Sequence, residues 1–359
     1  MGSSKKIKED PNGGKKRSME ALSSSEPPKK KPCPEREQGK EAEKALKSRK
    51  RPVSPFTGPS QKRMRCGSKA EEEKEPKPGP SKVTPPDSGA TMNTKRYSGG
   101  EVIGQGTFGQ VVKVWDKIKK TSLAIKTVSR GPSFVAEMAL RLEKEIMEIA
   151  VGSPFLIHSH MSFTTKKRYY FVMDFASGGD LLTHLKTSGR LPKSSVQFYA
   201  AEITSAIQFL HGKGYIHRDI KPSNILIASS GHVKLADFGL AVKKTQGIWG
   251  NTGTHGYVAP EVLSGKAYNL AADWYSFGVV LFQLATGLPS SRCIPSAFPS
   301  YGLHRDTANI IKELLDDNPN TRLGLNGCIR SHPFFNGINW EDLEQLRITP
   351  PYIPGESKS

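Results

Sequence analysis

The chain has 359 residues and a formal net charge of +19, from 53 Lys and Arg against 34 Asp and Glu. No apolar run reaches the about 18 residues that a helical membrane span needs. The four cysteines (Cys33, Cys66, Cys293, Cys328) form no Cys-x-x-Cys pair, which argues against a zinc-bound or disulfide framework and fits a reducing compartment. The start, Met1 to Lys6, has no signal-peptide core, and Lys6 stands where a myristoylation signal needs Ser or Thr.

Residues 1–92 carry 23 Lys and Arg against 13 Asp and Glu, with isolated apolar side chains such as Ile7, Leu22, Leu46, Val53 and Phe56. So little apolar surface does not offset the entropy of ordering, so this segment is expected to be a disordered basic tail. Basic clusters recur at Lys15–Arg17, Lys29–Lys31, Arg49–Arg51 and Lys62–Arg65. They read as nuclear-import signals or contacts to polyanions, with a solvated charge run of equal weight. The tail lacks the interleaved aromatics that stack on bases, so sequence-specific nucleic-acid binding is not expected. Together these features place the protein inside the cell, in the cytoplasm and/or the nucleus.

Next comes Ile103-Gly104-Gln105-Gly106-Thr107-Phe108-Gly109-Gln110-Val111. A lone Gly-x-Gly-x-x-Gly is weak, because dinucleotide folds use it too. Here the β-branched run Val111–Val114 follows in place of a helix, which predicts a strand–loop–strand flap whose glycines let backbone N–H groups approach phosphates. Leu123-Ala124-Ile125-Lys126 fits a strand carrying an ATP-anchoring lysine, with a small residue beside it to admit a base. Ser133 to Ala150 has helical periodicity, with Phe134, Met138, Leu142, Ile146 and Ile149 on one stripe and Ser133 as N-cap. Tyr169 to Phe175 is a continuous apolar strand ending in a connector. Ser194–His211 is an amphipathic helix.

The densest pattern is Tyr215 to Gly239: His217-Arg218-Asp219, then Lys221 and Asn224, then Asp237-Phe238-Gly239. Phosphoryl transfer needs this set: a carboxylate to orient the hydroxyl (Asp219), a cation for the γ-phosphate (Lys221), and an amide and a carboxylate for Mg²⁺ (Asn224, Asp237). Order and spacing together resemble the eukaryotic protein-kinase catalytic loop and its Asp-Phe-Gly partner. Phe171–Phe175, Gly178-Gly179-Asp180-Leu181, Asp273–Gly278 and Gly337–Trp340 with Pro350-Pro351 make the chain similar to the AGC group, and within it to the protein kinase C catalytic domain.

The resemblance implies an α+β, two-lobed protein-kinase fold, an antiparallel small-lobe sheet with one helix above a mainly helical large lobe. The domain would span 97–335 (small lobe 97–175, large lobe 176–335), with a short AGC-type extension over 336–359. It implies ATP and Mg²⁺ as cofactors and protein Ser/Thr hydroxyls as acceptors, since Lys221 sits at the offset typical of Ser/Thr kinases. The glutamate pairing with Lys126 is assigned to Glu143, with Glu145 and Glu137 as alternatives that read better as solvated helix charges. By the same resemblance Met173 is the gatekeeper, the backbone of Asp174 and Ala176 meets the adenine edge, Leu226 lies beneath it, and Asp180 borders the nucleotide. His217 is expected to pack under Phe238, Arg218 to sense an activation-loop phosphate, and Glu261 to pair with Arg322.

The chain departs from the family pattern at four points. The activation-loop phosphothreonine position is Gly250, leaving Thr252 or Thr245 as substitutes, or a loop ordered without phosphate. The chain ends at Ser359, before the family's Phe-containing motif, so the glutamate helix is expected to be less well held. Acids that read basic residues in substrates appear as Ser223 and Gln283, while Asp180 remains. No Cys/His-rich lipid-binding module precedes the domain, so control by diacylglycerol is not expected. Gly250 and the missing motif keep open an alternative, a pseudokinase or scaffold that binds nucleotide only.

Overall fold

The computed structural model describes residues 96–106, 109–131, 133–244 and 248–355. The basic tail, Thr107, Phe108, Thr245 and the last four residues lie outside the described residues.

Five strands open the fold: β1 (Tyr97–Gly106), β2 (Gly109–Asp116), β3 (Thr121–Ser129), β4 (Ser159–Thr164) and β5 (Arg168–Asp174). They form one antiparallel sheet in the order β1-β2-β3-β5-β4. Successive strand side chains point to opposite faces, so each strand is sorted by residue parity. On β5, Tyr170 and Val172 join Val114, Leu123 and Ile125 on the outer face. Tyr169, Phe171 and Met173 turn inward with Ala124 and Val128. The continuous apolar run of β5 is thus a strand buried on both faces. The same alternation puts Lys126 on the inner face, between Ala124 and Val128.

Helix α1 (Phe134–Ile149) packs on that inner face. Its buried residues are Leu140, Glu143, Ile146 and Met147. This differs from the stripe read from periodicity: Phe134 is 77% exposed and Met138 48% exposed. A helix packed at an angle buries the i, i+3, i+7 face that meets the sheet, and its first turn overhangs it. Ser133 occupies the N-cap position without a side-chain cap bond; its carbonyl accepts from Glu137 N at 3.1 Å.

The following domain is mainly helical, built on α2 (Leu181–Ser188), α3 (Lys193–Gly212), α4 (Pro260–Leu263), α5 (Ala271–Thr286), α6 (Arg305–Leu314) and α7 (Trp340–Glu344). Two short antiparallel strand pairs carry the polar loop residues: β6 (Tyr215–Ile216) pairs with β9 (Val242–Lys243), and between them in the chain β7 (Ile225–Ile227) forms a hairpin with β8 (Val233–Leu235). Helix α5 is buried almost throughout, from Ala271 to Ala285, as an apolar run flanked by Asp273 requires. It ends at Gly287, in the left-handed region at φ 71°, where a Cβ would meet Arg190 N at 2.9 Å. Only glycine makes that turn at low cost.

Candidate active site

The loop from His217 to Asn224 is anchored from beneath by Asp273 of α5. Its buried carboxylate accepts from the backbone N–H groups of His217 and Arg218, both at 2.8 Å, and contacts His211 Nε2 at 2.8 Å. Burial alone would raise the Asp273 pKa; these donors, His211 foremost, outweigh it and hold the carboxyl below its usual range. His217 packs edge-on against Phe238 at 5.5 Å between ring centroids, with Nε2 3.1 Å from Ala236 O. It is a loop buttress.

Asp219, Lys221 and Thr254 converge. Thr254 Oγ1 donates to Asp219 Oδ1 at 2.6 Å and accepts from Lys221 Nζ at 2.7 Å, while Lys221 Nζ lies 2.7 Å from Asp219 Oδ2. Thr254 was not among the residues singled out from sequence. Its signal was its place directly after Gly253, whose φ of 124° and close approach to Arg218 O (2.8 Å from a built Cβ) fix the segment against the loop. Asn224 Nδ2 donates to Asp219 O and Oδ2 at 2.9 and 3.0 Å, bonds that do not use its amide oxygen. Thr254→Val would remove both hydrogen bonds to charged groups. It is expected to lower kcat about 10- to 100-fold with little change in the KM for ATP, measured by steady-state kinetics.

Above this loop, Lys126 Nζ sits 2.6 Å from Glu143 Oε1 and 2.7 Å from Asp237 Oδ1. Burial would lower the lysine pKa, but the two carboxylates reverse this and raise it, so it stays charged. Burial likewise pushes Asp237 upward, and Lys126 more than offsets it, holding the carboxylate ionised. Glu143 is therefore the partner of Lys126. The other two glutamates are not the solvated charges expected. Glu137 accepts from Tyr169 OH at 2.5 Å and pairs with Arg130, and Glu145 accepts from Tyr215 OH at 2.7 Å and meets Lys243 Nζ at 2.9 Å. Glu145 thus ties α1 to β6 and β9.

The remaining predicted residues line the space between. Val111, Ala124, Met173 and Leu226 belong to one apolar cluster, with Val111 opposite Lys126 and Ala124 opposite Met173 in the sheet register. Ile103, Gly104, Gln105 and Gly106 form the end of β1, with Gln105 opposite Gln110 and Gly106 opposite Gly109. Gly109 has φ 156° and a Cβ there would fall 1.8 Å from Thr127 O, so position 109 tolerates no side chain. Asp174 closes β5, and Ala176 O accepts from Gly179 N at 3.4 Å. Asp180 caps α2, accepting from Thr183 N and Oγ1, both at 2.9 Å.

Arg218 already has partners within the chain. Its Nε donates to Leu240 O at 2.6 Å and its Nη1 to Tyr268 OH at 2.9 Å, while Ile248 pairs with Tyr268 through a β-bridge. Gly250, two residues on, has φ 107°, a conformation that a threonine would adopt only with strain. Glu261 and Arg322 form the expected pair, fully buried on the arginine side, with Nη1–Oε1 2.7 Å and Nη2–Oε2 2.9 Å.

The family model for the protein kinase domain matches residues 97–335. The chain belongs to the protein kinase family. Among curated relatives, protein kinase C delta type from Rattus norvegicus is 36% identical over 274 residues, 71% of this chain and 40% of that protein. Protein kinase C-like 2 from Schizosaccharomyces pombe is 38% identical over 280 residues, 70% of this chain and 27% of that protein. Protein kinase 2 from Dictyostelium discoideum is 36% identical over 272 residues, 70% of this chain and 56% of that protein. The kinase therefore spans less than two thirds of the length of each. Membership implies ATP and a divalent cation, and the residues fit both: a glycine at position 109 closed to side chains, a charged lysine between two carboxylates, and hard oxygen donors on Asp237 and Asn224.

Proposed function

We propose that this kinase is a protein serine/threonine kinase, moving the γ-phosphoryl group of ATP, with Mg²⁺, to Ser and Thr hydroxyls of protein substrates. The observation that carries the reading is the Asp219–Thr254–Lys221 cluster facing the Lys126–Glu143–Asp237 set. Mg²⁺ held by Asp237 and Asn224 supplies charge neutralisation on the phosphates. Asp219 orients the acceptor hydroxyl and takes its proton. Lys221, held by Thr254, faces the phosphoryl group in transit. Lys126, fixed by Glu143, anchors the nucleotide phosphates, and the glycine strands close over them.

The acceptor site favours substrates without a strong basic signature. Gln283 is buried and accepts from Tyr257 OH at 2.7 Å, Ser223 is uncharged, and Asp180 spends both oxygens on Thr183. Serine peptides with and without arginines are expected to differ little in kcat/KM, whereas tyrosine peptides are expected to give no transfer. Strong selection for arginine at several positions by the unmodified enzyme would contradict this, and tyrosine transfer would contradict the class.

The basic clusters of residues 1–92 support action in the cytoplasm and/or nucleus, with the tail as an import signal or polyanion contact. An unchanged cellular distribution after deletion of residues 1–92 would overturn the import role.

A further inference from the structure

On the outer side of the connector between the lobes, His158, His160 and Asp174 turn toward one another. His158 Nδ1 lies 3.1 Å from Asp174 Oδ2 and His160 Nε2 lies 3.0 Å from Asp174 Oδ1. One ligand atom from each of the three lies within 4.8 Å of the others. The two rings meet edge-on at 4.9 Å between centroids. His158 immediately precedes β4, and the register shift between Ser159 and Met161 places His160 in a bulge beside the end of β5. None of these side chains takes part in phosphoryl transfer as derived above.

From this geometry we propose that His158, His160 and Asp174 form a binding site for a divalent transition metal of the zinc class, distinct from the Mg²⁺ ligands Asn224 and Asp237. Zinc takes imidazole nitrogen and carboxylate oxygen at about 2.0–2.2 Å, so its ligand atoms sit about 3.3 Å apart. His158 Nδ1 and His160 Nε2 each already stand near that edge, but from different oxygens of Asp174, so a zinc ion on one of these oxygens draws the other ring nitrogen in to complete a three-ligand site with one position left for water. Two imidazoles against one carboxylate disfavour Mg²⁺ and Ca²⁺, which take oxygen ligands. Ligation takes a ring-nitrogen lone pair from each neutral histidine, so any proton on His158 Nδ1 or His160 Nε2 goes to solvent or to the other ring nitrogen.

The charges around the cluster set a limit on affinity. Lys234 of β8 lies 3.2 Å from Asp174 Oδ2 and also donates to Pro154 O at 3.2 Å, and Lys119 bears on His160. A metal on Asp174 therefore competes with Lys234 for that carboxylate, at the point where β8 is tied to the end of β5. The three ligands are about three-quarters buried or more (25%, 26% and 20% side-chain exposure), which leaves the site open to solvent on one side and the histidines replaceable.

The test is a zinc titration of the full chain, first stripped with a chelator and then kept in excess Mg²⁺ so that the oxygen sites are filled. The expected result is one saturable zinc equivalent, weakened at least about tenfold by His158→Asn or His160→Asn alone and abolished in the double variant. The thermal midpoint of the unmodified chain should rise with zinc and return with chelator, with no such rise in the double variant. As a check that needs no variant, the cadmium-loaded chain observed by NMR should show nitrogen and oxygen ligation. Wild-type zinc stoichiometry and affinity in the double variant, sulfur ligation of cadmium, or no saturable binding at all would each overturn the proposal. None of these readouts depends on turnover, so a failed kinase assay and a failed metal titration are distinguishable.

Discussion

Asp219→Asn is expected to lower kcat by about 10²–10⁴ while leaving nucleotide binding in place. The carboxylate accepts from Thr254 Oγ1, meets Lys221 Nζ and accepts from Asn224 Nδ2, so each of its oxygens has a fixed orientation. Asparagine keeps the shape of that contact set but has no charge to draw a proton from an acceptor hydroxyl. The loop itself should persist, because Asp273 holds it through the backbone of His217 and Arg218. Steady-state transfer to a serine peptide, beside equilibrium binding of a non-hydrolysable ATP analogue, separates the two effects. A loss of analogue binding equal to the loss of turnover would show that Asp219 is structural.

Arg322→Ala is expected to cost about 3–5 kcal/mol of stability, because it leaves a buried carboxylate unpaired. Arg322 is fully buried; besides the two-point contact with Glu261, Nη1 donates to Ala271 O at 2.8 Å, Nε donates to Asp316 O at 2.9 Å, and the guanidinium lies 5.1 Å from the Tyr275 ring centroid. The change thus orphans Glu261 and takes a donor from each of the Ala271 and Asp316 carbonyls. For a domain of this size the thermal midpoint should fall by roughly 10 °C, read by calorimetry. Glu261→Gln with Arg322→Met should recover part of the loss, since no unpaired charge remains. The exposed pair Lys144–Glu148 on α1 gives the contrast: its removal should change stability by less than about 0.5 kcal/mol. A midpoint unchanged by Arg322→Ala would mean that the pair does not hold the segment after the catalytic loop.

The reasons that some of this was legible in the sequence are local. Asp219, Lys221, Asn224 and Asp237 lie within one stretch whose spacing is set by the β7–β8 hairpin enclosed by the β6–β9 pair, so their convergence follows from chain order. Ala124 and Lys126 share a face because a strand alternates. Residues whose roles depend on distant partners were harder to read. Thr254 meets Asp219 across 35 residues, and Tyr268 meets Arg218 across 50. Glu137 and Glu145 read as surface charges on a helical wheel, but Tyr169 and Tyr215, on strands that the wheel does not contain, turn them into fixed contacts. The apolar stripe of α1 holds at Leu142, Ile146 and Ile149 but overruns at Phe134 and Met138, because periodicity gives a face without saying where along the helix the sheet ends. Gly250 was noted as a missing acceptor; the arrangement around Arg218 adds that the positive charge a phosphate would meet already has the Leu240 carbonyl and the Tyr268 hydroxyl.

The central claim is that the site is assembled for phosphoryl transfer with no phosphate at position 250. The most direct test is transfer of labelled γ-phosphate from Mg²⁺ and ATP to a serine peptide, by chain shown by mass spectrometry to carry no phosphate between Asp237 and Glu261. Turnover by this unphosphorylated chain, lost in Asp219→Asn, is the predicted result. Bound ATP without transfer would contradict it and make the chain a nucleotide-binding scaffold.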